Sequence, residues 1–159
     1  MINLTLISVG TLKEKYLKDA VEEYKKRLLQ FAKVEEVNIK EETIYNEDDK
    51  SEIERALNSE GEKIIAAMGR DAYKIALCVE GTQYDSPGLA RIIESACDRC
   101  GKIALVIGSS HGLADSVKQK CDLKLSVSKL TFPHQLMRPI LFEAIYRSFT
   151  IIHGKRYHK

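Results

Sequence analysis

Apolar residues fall along this chain in two alternating rhythms, short near-continuous runs and stripes with a period of 3.6. Ile2 to Val9 is a strand-like run closed by Gly10. From Leu12 the rhythm turns helical, with Leu17, Val21, Tyr24, Leu28 and Phe31 on one face and Glu22, Glu23, Lys25 and Arg27 on the others. Val34 to Ile39 alternates as a second strand, and the acidic segment Glu41 to Asp49, which has no periodicity, reads as a mobile loop. Ser51 with Glu54 resembles a capping box that opens a helix through Ile53, Leu57, Ile64, Ile65 and Met68 to Gly69, although Gly61 argues against a continuous one. Tyr73 to Val79 is a third strand, and Ser86-Pro87 starts a helix with the stripe Leu89, Ile92, Ile93 and Ala96. Ile103 to Ile107 and Leu123 to Val127 complete the strands, around a short helical stretch. A last helix from Pro133 to Ile152 is apolar on more than one face, through Leu136, Ile140, Leu141, Ala144, Ile145, Phe149 and Ile152, and Pro139 within it predicts a kink. Strands and helices alternating in this way predict an α/β fold, a mostly parallel sheet flanked by helices, in a single domain over residues 1–159.

Candidate chemistry lies at the ends of the later strands. The run to Ile107 breaks at Gly108 into Ser109-Ser110-His111-Gly112, and the run to Val127 ends in Ser128-Lys129-Leu130-Thr131-Phe132-Pro133. Two such loops at the carboxyl ends of parallel strands are expected side by side at one edge of the sheet, where open α/β sheets bind ligands. Glycine lets a ligand approach the main chain, so recognition by backbone groups is expected. Neither a P-loop nor G-x-G-x-x-G after the first strand is present, which argues against nucleoside triphosphates and dinucleotides. Gly108 to Gly112 also satisfies G-x-S-x-G between a strand and a helix. A serine hydrolase with Ser110 as nucleophile, and an acid and a histidine such as Asp122 and His153 behind it, is therefore an alternative reading.

The length is enough for a core without cross-links. The four cysteines, Cys78, Cys97, Cys100 and Cys121, sit in or beside apolar runs and read as small hydrophobes in a reducing cytosol; Cys97-x-x-Cys100 lacks a second ligand pair, so no metal is expected. No apolar stretch reaches the ~18 residues of a membrane span. Met1-Ile2-Asn3 carries no basic leader, so no signal peptide is expected and the protein is expected to be cytoplasmic. Net charge is +2, but unevenly placed: from Lys118 onward nine Lys and Arg face only Asp122 and Glu143, whereas residues 1–117 hold 16 against 21 acids. A basic end of this kind suits a polyanionic partner.

Val106-Ile107-Gly108, the run Ser128 to Gln135, Arg138, Glu143, Tyr146-Arg147, the terminal Tyr157-His158-Lys159 and Gly10-x-Leu12-Lys13 after the first strand closely resemble the RlmH family, end to end. Its members are SPOUT-superfamily methyltransferases that act on pseudouridine in large-subunit ribosomal RNA. The resemblance implies a SPOUT-type α/β fold with a C-terminal trefoil knot, a homodimer, and S-adenosyl-L-methionine bound in the knot loops. Those loops match Leu77, Gly108 and the run Val127, Ser128, Lys129, Leu130, Thr131 and Phe132. The implied reaction is methylation of N3 of a pseudouridine in 23S ribosomal RNA, on assembled ribosomes. His134, Arg138, Tyr157 and His158 are the candidate catalytic groups; a purely structural role stays open for His134 as a helix cap and for Arg138 as a partner of Glu143. Ser109 stands where family members usually carry a second glycine, which narrows the space beside the cofactor.

Two further expectations concern the carboxyl end. The broad apolar surface of the last helix predicts a second subunit packed on it, with Ile145 among its outward positions. Gly154 should end that helix and release Lys155 to Lys159 as a short extended arm, rich in cations and carrying a ring and an imidazole, suited to gripping RNA across the cofactor pocket. The alternative from a different class is a non-catalytic RNA- or ribosome-associated module in which the basic end alone matters.

Overall fold

The computed structural model describes residues 1–159. Strands β1 (Ile2–Val9), β2 (Ala32–Ile39), β3 (Tyr73–Thr82), β4 (Lys102–Ile107) and β5 (Leu123–Leu125) alternate with helices α1 (Lys15–Leu28), α2 (Lys50–Ala67), α3 (Ser86–Cys100), α4 (Asp115–Gln119) and α5 (His134–Ile152). All pairings are parallel, in the order β2-β1-β4-β3-β5. The central strand, β4, has the most continuous apolar run because helices cover both its faces. Ile103, Leu105 and Ile107 enter one core with Val21 and Leu28 of α1, Ile93 of α3, and Phe142 and Phe149 of α5. Ala104 and Val106 point the other way, into a second core with Ile64 of α2 and Val117 of α4. Leu105 is wholly buried, a burial that stabilises by about 1.5–3 kcal/mol. The expected parallel α/β architecture is thus the observed one, and its strand order is compatible with the knot that the resemblance implies.

The strand ends differ from the sequence expectation in a way that shapes the site. β3 continues to Thr82, with a register shift against β5 between Leu77 and Thr82. Gly81 in this stretch lies against the backbone of β5: a Cβ there would stand 2.7 Å from the Lys124 and Leu125 carbonyl carbons, so only glycine fits. β5 stops at Leu125 instead of Val127, and the next N–H, that of Ser126, bonds the Thr82 carbonyl at 3.0 Å. The loops after β4 and β5 are not adjacent either, since β3 lies between those strands and the loops meet across its end.

Helix starts also shift. Asp49, not Ser51, caps α2, its carboxylate accepting from the Ser51 and Glu52 N–H groups at 2.9 and 3.3 Å. Glu52 then reaches back to the N–H groups of Tyr45 and Asn46 at 2.7 and 3.1 Å. Glu42 accepts from Lys63 and Ser59. The acidic segment therefore has no regular structure, as expected, yet is fastened along α2 instead of hanging free. α3 opens as its sequence predicts, with Asp85 capping the Gly88 N–H at 2.7 Å and Pro87 in its first turn. α2 runs through Gly61 without interruption because α4 packs there, with Ala114 Cβ and Val117 Cγ2 each 3.2 Å from where a Cβ would be.

Replacing Gly61 by Val should force those helices apart and lower stability by about 1–3 kcal/mol, read as an earlier urea midpoint with an unchanged slope. The neighbouring Glu60 is buried and accepts the Glu42 N–H at 2.9 Å. Burial raises its pKa above the ordinary 4.5, and the charges of Glu41 and Glu42 add to the rise. The folded chain therefore favours the protonated carboxyl, a contribution complete below pH 4.5 and lost as pH rises through the raised value. Glu60→Gln keeps the acceptor and removes the titration, so it should gain stability relative to wild type between pH 4.5 and neutrality. Parallel stability profiles for the two proteins across that range would contradict this.

Candidate active site

Beyond the carboxyl ends of β3, β4 and β5 opens a cavity of about 670 Å³, a size suited to a small cofactor. Its walls are Leu77 to Glu80 from β3, Gly108 to Leu113 from the β4–α4 loop, Ser126 to Ser128 and Leu130 to His134 from the β5–α5 segment, and Met137 from the start of α5. The β4–α4 loop closes on itself: the Gly112 N–H donates to the Ser109 carbonyl at 2.9 Å, and Gly112 has φ 87°. A Cβ on Gly108 would stand 2.2 Å from the Gly112 carbonyl oxygen, so the fold of the loop demands glycine there before any ligand is considered. Ser109 is buried, and its hydroxyl accepts the His111 N–H at 3.3 Å, inside the loop.

Serines likewise curl the β5–α5 segment. The Ser126 hydroxyl donates to the Ser128 carbonyl at 3.1 Å, and the Ser128 hydroxyl accepts the Leu130 N–H at 3.0 Å. The curl leaves Val127 40% and Leu130 71% exposed at the cavity. Large apolar groups left open beside a concavity mark a surface that something covers. Also in the wall, Lys118 of α4 pairs with Glu80, and this partner holds the Glu80 carboxyl below the usual range.

Of the residues expected to hold a cofactor, Leu77, Gly108, Val127, Ser128, Leu130, Thr131 and Phe132 all border this one cavity, whereas Lys129 does not. His134 borders it too. Arg138 stands apart: it is buried and donates to Asn38 Oδ1 at 3.1 Å and to the carbonyls of Val9 and Gly10 at 3.4 and 2.5 Å. The partnership with Glu143 does not form, because Glu143 accepts from Arg147 at 2.5 Å and from the Tyr157 hydroxyl at 3.3 Å. Glu80, Lys118 and Met137 are wall residues that sequence reasoning missed. Glu80 and Lys118 meet across 38 positions, and no local pattern announces such a pair.

The extended arm expected after Gly154 is not observed. The helix ends in a Schellman motif, with N–H bonds from Gly154 to the Ile151 carbonyl at 3.0 Å and from Lys155 to the Thr150 carbonyl at 2.8 Å. The tail then folds back along α5. The Tyr157 ring meets Tyr146 edge-on at 4.9 Å and lies 4.7 Å beneath the Arg147 guanidinium, and His158 Nδ1 is 3.5 Å from Arg147 Nη1. Neither Tyr157 nor His158 borders the cavity of its own chain. Ile145, expected to face outward, is completely buried in the core; the partly exposed apolar side of α5 carries Leu136, Met137, Ile140 and Ile151.

The hydrolase arrangement is also not assembled. Ser110 is exposed, and no residue other than glycine has positive φ, so the strained turn of a nucleophile elbow is missing. Asp122 accepts the Lys74 N–H at 2.7 Å near the amino end of β3, while His153 packs on Phe31 at 4.8 Å, and neither stands behind Ser110.

The chain matches the family model described as "Predicted SPOUT methyltransferase" over residues 2–158. It is 45% identical over 156 residues to the ribosomal RNA large subunit methyltransferase H of Caldicellulosiruptor saccharolyticus, covering 98% of this chain and 99% of that one. To the protein of the same name from Shouchella clausii it is 44% identical over 159 residues, covering 99% and 100%. Among solved structures, one described as a "probable methylase family protein" from Haemophilus influenzae Rd KW20 aligns with a TM-score of 0.61 at 14% identity, over 98% of this chain and 70% of that one. A structure concerned with 2-OH methylation of C/U34 on tRNA aligns with a TM-score of 0.52 at 13% identity, over 97% and 99%. At such identities the structural likeness speaks for the fold alone, but the near-complete sequence matches go further: this chain belongs to the SPOUT methyltransferase family, among the ribosomal RNA large subunit methyltransferase H proteins.

Proposed function

We propose that this protein is an S-adenosylmethionine-dependent methyltransferase acting on N3 of a pseudouridine in large-subunit ribosomal RNA, on ribosomes in the cytoplasm, as a homodimer. The observation that carries this reading is a cavity walled by the segments at the carboxyl ends of three strands, in a chain whose relatives are named for methylating large-subunit ribosomal RNA. The cavity suits the cofactor in size and in chemistry. Leu77, Ile107 and Phe132 offer apolar surface for a purine, the main chain of Gly108 and Ser128 offers polar groups, and the one lysine in the wall, Lys118, is paired with Glu80. When bound, S-adenosylmethionine supplies a methyl group activated by a sulfonium leaving group.

The remaining work falls to the chain: to hold the acceptor nitrogen in line, exclude water and take its proton. Val127 and Leu130, exposed beside the cavity, are the surface that the base would cover. His134, at the first position of α5, borders the cavity and is the imidazole assigned to the N3 proton. Because Tyr157 and His158 lie away from the cavity of their own chain, the tail serves a cavity only from a second protomer, across the α5 side that carries Leu136, Met137, Ile140 and Ile151.

Calorimetry with S-adenosylmethionine tests the cofactor assignment. Wild type should bind at micromolar levels, Gly108→Ala should abolish binding through its collision with the Gly112 carbonyl, and Lys129→Met should change affinity by less than about fivefold, the scale of an exposed charge. Loss of affinity in Lys129→Met with retention in Gly108→Ala would reverse the assignment. No cofactor binding by wild type, with RNA binding retained, would favour the non-catalytic module.

The dimer is tested by sedimentation, in which wild type should be a dimer and Ile140→Glu a folded monomer. Deleting Tyr157 to Lys159 should spare dimerisation and cofactor affinity and cut single-turnover methylation of ribosomes by roughly 100-fold or more. Mixing that truncated protein with Gly108→Ala should restore roughly a quarter of wild-type activity if tail and cavity cooperate between protomers. A mixture as inactive as its components would refute the shared site.

A further inference from the structure

A second cavity, of about 440 Å³, opens at the carboxyl ends of β1 and β2. It is walled by Gly10, Thr11 and Lys13 of the β1–α1 loop, Asn38 to Glu41 at the end of β2, and His134 and Gln135 at the start of α5; of these only Ile39 is apolar. The frame is fastened on both sides. The Gly10 N–H donates to the Ile39 carbonyl at 2.8 Å, and the Lys13 N–H to Gln135 Oε1 at 3.1 Å.

Positive potential converges on this corner from four sources. Lys13 and Lys40 pair with no carboxylate, although seven other basic residues of the chain do. Behind the wall, Arg138 is 3% exposed and its guanidinium meets only neutral acceptors, Asn38 and the carbonyls of Val9 and Gly10. α5, 19 residues long, begins here without a side-chain cap, which leaves first-turn N–H groups and the positive end of the helix dipole at the cavity. Glu41 in the wall opposes them, and the charges of Glu36 and Glu42 reach Arg138 and Lys40 without pairing with them. A polar concavity so charged favours an anion, and a buried cation whose hydrogen-bond partners are all neutral gains from an anion supplied from outside. His134 borders both cavities, so this corner adjoins the space where the methyl group is transferred.

We propose that the second cavity is a subsite for a backbone phosphodiester of the RNA substrate, with Lys13 and Lys40 as positioning residues. The identity of the anion rests on the methyltransferase reading above. A phosphate held there fixes the strand one residue away from the methyl-transfer cavity and so sets which nucleotide enters it; base contacts are not required for this.

The test compares Lys13→Ala/Lys40→Ala with Lys33→Ala/Lys102→Ala, which removes equal charge from the amino ends of β2 and β4. With ribosomes as substrate, the first pair should raise KM about tenfold or more and leave kcat within about threefold. S-adenosylmethionine affinity, read by calorimetry, should match wild type. For a single-stranded RNA oligonucleotide, the slope of log K against log salt should fall by about 0.7, the loss of one neutralised phosphate. The control pair should leave KM and slope near wild type. Unchanged KM and slope in Lys13→Ala/Lys40→Ala would overturn the subsite and leave the methyltransferase reading standing, as would an equal effect from the control pair. A wild type that binds no RNA and methylates no ribosomes would overturn both.

Discussion

Arg138 reaches from the second turn of α5 to the carbonyls of Val9 and Gly10 and to the side chain of Asn38, and the carboxyl edge of the sheet is arranged around that contact. Removing either side would leave buried polar groups unpaired at about 1–3 kcal/mol each, which gives the start of the helix a single seat. Burial pulls the guanidinium pKa down, against the charge of Glu36, and no carboxylate lies close enough to pair with it. Seated this way, α5 presents His134 and Met137 to the larger cavity and His134 and Gln135 to the smaller. One buried contact thus governs the relation between the two spaces that the proposals assign to cofactor and RNA.

Backbone crowding does a second part of the work. Gly81 lets β3 pass against β5 where the register shifts, and Gly108 lets the β4–α4 loop turn beneath the carbonyl of Gly112. Both are places where a methyl group would overlap backbone, which no rotamer can relieve. Around Gly108 the wall of the larger cavity is therefore main chain packed at short range. Its one ion pair, Glu80 with Lys118, joins two walls that the sequence keeps 38 positions apart.

α5 divides its apolar residues between two tasks. Leu141, Phe142, Ile145 and Phe149 fill the core against α1 and α3, whereas Leu136, Met137, Ile140 and Ile151 remain partly open. The tail lies along the same helix, its tyrosine gathered with Tyr146, Arg147 and Glu143. In the proposed dimer, a tail organised on the surface of one protomer is available to the cavity of the other without having to be ordered on binding.

Periodicity alone determined the five strands, the five helices and the parallel α/β class, because burial on two faces writes itself into local apolar runs: β4 shows this in Ile103 to Ile107, whose alternate residues serve different cores. The glycines and serines of the strand-end loops marked the larger cavity for the same reason, since backbone approach demands small residues locally. Other features carry no local signature. Whether Gly61 breaks a helix or admits a neighbour depended on α4 arriving beside it. Whether Arg138 met Glu143 or two strand carbonyls depended on where α5 was seated, and Ile145 and Ile140, both apolar on one helix, were separated only by what packed against each. The tail was legible as basic and aromatic but not as folded back, because its partners Glu143, Tyr146 and Arg147 lie on the preceding helix and favour return only once Gly154 has turned the chain. Composition and period record what each residue needs; contacts between distant segments decide which neighbour meets that need, and those contacts exist only in the folded chain.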